Sequence, residues 1–92
     1  MSLMTLPDAG DVQRVLTGTQ IRQARAALRW TSRELADRAK TSASTIVRAE
    51  AMQGRVPKIS APTLLSIKAA LEDGGAEFLP DGSVRIRPER KP

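Results

Sequence analysis

The sequence predicts a mainly α fold of four to five short helices with a C-terminal β-hairpin, and three observations carry that prediction. Side chains able to cap a helix start recur at Thr17, Thr31, Ser42 and Ser60. Between them apolar residues return every three or four positions, the spacing of one buried helical stripe. After Gly74-Gly75 the pattern changes to alternation, as in a strand with one covered face. Ninety-two residues make one small domain, which buries roughly 60–65% of its unfolded surface.

Met1-Ser2-Leu3, ahead of a second Met4, reads as an added leader. Residues 1–16 form an N-terminal arm, in which Asp11–Leu16 can make a short helix with Val12, Val15 and Leu16 on one side. Thr17 and Gln20 have capping-box spacing and open a helix to about Arg29, with Ile21, Ala24, Ala27 and Leu28 as its stripe. Trp30 ends that helix and is expected to close the core between the first two. Thr31 and Glu34 form a second capping box before a helix from Ser32 to Ala39, whose Leu35, Ala36 and Ala39 turn inward. Ser42 caps a third helix, Ala43–Ala51, with Ile46 and Ala49 as core positions; its periodicity leaves Val47 unassigned.

Met52–Ser60 is a loop, and Ser60 caps a fourth helix to Asp73. Pro62 is tolerated in its first turn, where no intrahelical N–H bond is lost. Leu64, Leu65, Ile67, Lys68 and Leu71 give it a broad apolar face, and Gly74-Gly75 stops it. The helical domain therefore spans 17–73. In 74–92, Pro80-Asp81-Gly82 is a turn between Ala76–Leu79 and Ser83–Arg87, followed by a fraying tail.

Composition narrows the function. Without cysteine or histidine, the commonest metal ligands and the commonest general base are missing. An enzyme is not expected, nor a cofactor or metal. No apolar run approaches the roughly 20 residues of a membrane span, so a cytoplasmic protein without membrane contact is the expectation. Net charge is +5, and its distribution says more than its size. Residues 17–60 hold nine Arg/Lys and three Asp/Glu, a net +6, while the remainder is −1. A localised basic surface is the footprint of a polyanionic partner. Two aromatic residues are too few to stack successive bases of a single strand.

Two capped helices joined by a short turn must cross, which is the helix-turn-helix pattern. The DNA major groove admits one helix, and the second helix of such a unit points its first turns at base edges. That makes Ala43, Ser44, Thr45 and Arg48 the base-contacting candidates. Arg48 can fork onto a guanine, Ser44 and Thr45 can hydrogen-bond, and Ala43 can touch a thymine methyl. Ser32, Arg33, Lys40, Arg55 and Lys58 are the phosphate-contacting candidates, because helix N-termini and cations both attract phosphate. Thr31, Glu34 and Ser42 are structural, as caps. Glu50, acidic within a basic segment, fits an ion pair.

Leu28-x-Trp30-Thr31-x-x-Glu34-Leu35-Ala36, Ser42-x-Ser44-Thr45-Ile46-x-Arg48-x-Glu50 and the Leu64–Leu71 helix together resemble the lambda-repressor/Cro-like helix-turn-helix domain, the XRE family. The resemblance runs from Gln20 to Leu71. It implies that Ser32 contacts phosphate, that Ala43, Ser44 and Arg48 face bases, and that Arg25 pairs with Glu50. Two features depart from the family pattern. Lys40 replaces a turn glycine, which calls for a left-handed non-glycine residue, and the Glu50–Pro57 loop is long. The hairpin lies outside the family core.

The sequence therefore reads as a regulator that binds a palindromic double-stranded DNA operator as a homodimer. The dimer contact is expected on the fourth helix and the hairpin, whose Val84 and Ile86 need cover. Alternative readings are the antitoxin of a toxin–antitoxin pair, with a toxin as protein partner, and a helix-turn-helix used for protein or RNA contacts.

Overall fold

Four side-chain caps start four helices in the computed structural model, which describes residues 16–87. The helices are α1 (Gly18–Ala27), α2 (Ser32–Ala39), α3 (Ala43–Ala51) and α4 (Ala61–Asp73), followed by strands β1 (Ala76–Phe78) and β2 (Val84–Ile86). The helix expected over Asp11–Leu16 lies outside the described residues except for Leu16. Among the described residues no helix is long and apolar enough to cross a membrane.

Each cap satisfies N–H groups that a helix start leaves free. At α1, Thr17 Oγ1 accepts from the Gln20 N–H at 3.2 Å and Gln20 Oε1 accepts from the Thr17 N–H at 2.9 Å. Thr31 and Glu34 repeat the exchange at 3.0 and 2.7 Å. Ser42 and Ser60 accept from the N–H groups of Thr45 and Thr63, at 3.1 and 3.2 Å. Helix α2 ends at Lys40, left-handed at φ 60° and ψ 46°.

Leu16, Ile21, Leu35, Ile46, Ile67 and Leu71 are the large, fully buried side chains. Each contributes about 2 kcal/mol by leaving water. Between them lie Ala24, Ala36, Ala39, Ala49, Ala70 and Ala76, small enough for the elements to approach closely.

Two positions of the predicted apolar faces are not part of the core. Ala27 is exposed, and Leu65 on α4 is 55% exposed. Helix α4 carries apolar residues around more of its circumference than one neighbouring layer can cover. Ile67, Ala70 and Leu71 take the buried side, and Leu65 falls outside it.

Trp30, expected to close the core between the first two helices, is half-buried and packs against the core. Its ring also lies against the end of α4. A Cβ on Gly74 would fall 2.5 Å from its Cη2. The Arg38 guanidinium lies over the ring, 4.3 Å from its centroid, a cation–π arrangement.

The hairpin is antiparallel, pairing Ala76 with Ile86, Glu77 with Arg85 and Phe78 with Val84. Its loop is Pro80-Asp81-Gly82, with Gly82 at φ 90°, the position of a three-residue hairpin loop that favours glycine. Phe78, Val84 and Ile86 pack against the helical core. The hairpin's apolar face, half-buried, thus packs on the chain's own helices: β2 rests on α1 and β1 on α4. Gln20 adds a direct tie, its Nε2 donating to the Gly82 carbonyl at 3.0 Å.

Candidate nucleic-acid interface

Helix α3 is held from behind by Ile46 and Ala49, both buried, and at its end by an ion pair. Arg25 donates from Nε to Glu50 Oε2 at 2.6 Å and from Nη2 to Glu50 Oε1 at 3.0 Å. Its remaining nitrogen, Nη1, donates to the Trp30 carbonyl at 2.8 Å. One guanidinium therefore joins α1, the α1–α2 corner and α3. This two-bond geometry is the strong form of the arginine–carboxylate contact. Hydrogen bonding to Glu50 pushes Arg25 above its ordinary pKa, outweighing the opposing effect of burial.

The loop after α3 is fixed by a contact that no local motif signals. The free N–H groups at the start of α1 bond to its carbonyls, Gly18 to Arg55 at 3.1 Å and Thr19 to Gln53 at 2.8 Å. Gly18 permits this approach. A Cβ there would collide with the Ala49 carbonyl oxygen and lie 2.7 Å from the Gln53 nitrogen.

On the outward side of α3, Ser44, Val47, Arg48 and Ala51 are all exposed. Their spacing of three, four and seven places them on one helical face. The other two base-contact candidates sit differently. Ala43 is half-buried and packs against the core. The Thr45 hydroxyl lies 2.9 Å from the Ser42 hydroxyl and so belongs to the cap. Val47 is 56% exposed, a member of this face that periodicity left unassigned. The periodicity turns Ile46 inward without saying whether the buried stripe is wide enough to take Val47 as well, and it is not.

The phosphate candidates precede and follow α3 in sequence. Ser32, half-buried, is the first residue of α2; Arg33 follows it, exposed. Lys40, Arg55 and Lys58 are exposed in the α2–α3 turn and the α3–α4 loop. Arg33, Lys40, Arg48, Arg55 and Lys58 form no ion pair with another of the described residues. Thr31, Glu34 and Ser42 are engaged as caps.

Among the described residues, no three His, Cys, Asp or Glu side chains gather as a metal site would require. No family model matches the chain, and no curated protein matches it.

Proposed function

We propose that the protein is a sequence-specific double-stranded DNA-binding regulator of the lambda-repressor/Cro-like type, acting without catalysis or cofactor. The observation that carries the reading is the exposed face of α3. It presents Ser44 and Arg48 to solvent on a helix whose other side is fixed by Ile46, Ala49 and the Arg25–Glu50 pair. A helix braced in this way can enter a major groove without losing its orientation. Arg48 then forks onto a guanine, while Arg33, Lys40, Arg55 and Lys58 and the start of α2 at Ser32 meet phosphates. Ala43 and Thr45 support the helix start more than they read bases.

A single domain of this size offers about 600–1,000 Å² to DNA, which favours a homodimer on two half-sites roughly 10 base pairs apart. Leu65, exposed on α4, is the apolar anchor for that contact. The hairpin, already packed on α1 and α4, supplies its edge.

Gel-shift titration against duplex DNA at several salt concentrations tests the reading. Binding that weakens steeply with salt, as counterion release demands, supports it, and absent or salt-independent binding rejects it. Arg48→Ala should lose discrimination at one base pair and keep most non-specific affinity.

A further inference from the structure

The outward face of α3 carries a group that the guanine-reading role of Arg48 does not use. Val47 is 56% exposed and lies between Ser44 and Ala51 on that face. An exposed valine on a short helix costs free energy in water and lowers helix propensity relative to alanine. Three large apolar side chains are exposed among the described residues: Val47, Val56 and Leu65. Val47 alone of these stands on α3. Ala43, whose methyl could have served as the apolar reader, is half-buried against the core.

We infer that Val47 reads the C5-methyl group of a thymine, in the base pair beside the guanine taken by Arg48. This deepens the DNA-binding reading and rests on it. In the major groove the thymine methyl is the apolar feature of the base edges, and it is recognised by apolar side chains. Charge complementarity supports nucleic acid rather than a protein as the occupant. Arg48 adjoins Val47 without an ion pair among the described residues, and the acidic neighbour Glu50 is turned inward onto Arg25. Val47 and Arg48 stand three and four residues from Ser44, and four and three from Ala51, so they flank that line on one exposed face of α3. Their axial offset of about 1.5 Å is smaller than the roughly 3.4 Å between base pairs, which places them against the same or adjoining base pairs.

The test begins by selecting duplexes from a random library with the full chain. In the selected duplex, each thymine is replaced in turn by deoxyuridine, which removes only the C5-methyl, and affinity is measured by fluorescence anisotropy. One thymine per half-site should weaken binding roughly fourfold on replacement, the weight of one buried methyl. In Val47→Ser, which removes the apolar branches, that loss should vanish, and in Val47→Ala it should shrink, with sensitivity at every other position unchanged. The alanine variant keeps the fold because Val47 is exposed and alanine suits a helix. If a duplex is selected but no thymine is uracil-sensitive, or either variant retains the full profile, the Val47 assignment is overturned and DNA binding stands. If no duplex is enriched at all, the DNA-binding reading falls and this inference falls with it.

Discussion

Two arginine–glutamate pairs close at the same 2.6 Å, one bracing α3 and one bridging the hairpin strands, yet they sit in different surroundings. Arg25 and Glu50 have side chains 19% and 12% exposed. Arg85 and Glu77 are 63% and 32% exposed. The less exposed pair uses both carboxylate oxygens, and Arg25 also bonds the Trp30 carbonyl. In the hairpin pair both Arg85 nitrogens share Glu77 Oε1. Equal distance therefore does not mean equal stabilisation. Water and salt screen the second pair, while the first would leave charge stranded if broken. The α1–α3 crossing is the firmly specified region of the molecule, and the hairpin is fastened to it by apolar packing and weak exposed contacts.

Gly18→Ala should have the largest effect on this contrast. Its Cβ would meet backbone atoms of α3 and the following loop, led by the Ala49 carbonyl, and backbone cannot swing aside as a side chain can. We expect a loss of about 3 kcal/mol, read as a lowered denaturation midpoint. A loss below about 1 kcal/mol would mean that the crossing is loosely held. Next comes the pair itself. Glu50→Ala should cost about 2 kcal/mol and Glu77→Ala about 0.5 kcal/mol, the latter shrinking further in 1 M salt. A double-mutant cycle with Arg25→Ala isolates the coupling. Equal costs for the two glutamates would remove the distinction between the regions.

The same contrast explains what was readable from sequence. The four caps are contacts between residues three apart, so Thr17, Thr31, Ser42 and Ser60 declare their helices locally. The left-handed Lys40 was expected through the family resemblance alone, because it stands where that pattern has a turn glycine. Contacts across the chain were not readable. Nothing near Gly18 indicates that it abuts Ala49 and Gln53, and nothing near Gln20 indicates that its amide reaches Gly82. Ala27, Val47 and Leu65 are apolar residues left outside, because periodicity marks a stripe without saying how wide a stripe the neighbours cover. On the outward face of α3, Ser44 and Arg48 are exposed as the helix start implied, while the spacing left Thr45 free to face a base or to support the cap, and its hydroxyl lies 2.9 Å from that of Ser42.

Lys40→Gly should separate stability from binding. The left-handed backbone at φ 60° costs a side-chain-bearing residue about 1 kcal/mol, and glycine's larger unfolded entropy returns part of that. A net gain of about 0.5 kcal/mol in denaturant stability is expected. If Lys40 meets a phosphate, the variant also binds all duplexes more weakly and the salt slope falls by about one. A stabilised variant with an unchanged slope would make the lysine an idle surface charge.

The smallest effect lies in the hairpin turn. Asp81 Oδ1 accepts from the Ser83 hydroxyl at 2.6 Å and from the Ser83 N–H at 2.9 Å. The hydroxyl first, then the N–H, hold its carboxyl below the usual carboxylate range. A depressed folded value means that the folded chain favours the carboxylate, so this contribution is complete above the ordinary range and is lost as pH falls through the folded value. The Ser83 amide resonance should stay fixed near neutrality and move only in strong acid, while reporters in α3 do not follow it. Asp81→Asn keeps the acceptor oxygen but cannot titrate, so its Ser83 signal should be flat across the same range. If α3 moved together with Ser83, the turn and the α1–α3 crossing would be one cooperative unit. The Gln20 bond to Gly82 would then be the link that carries the change.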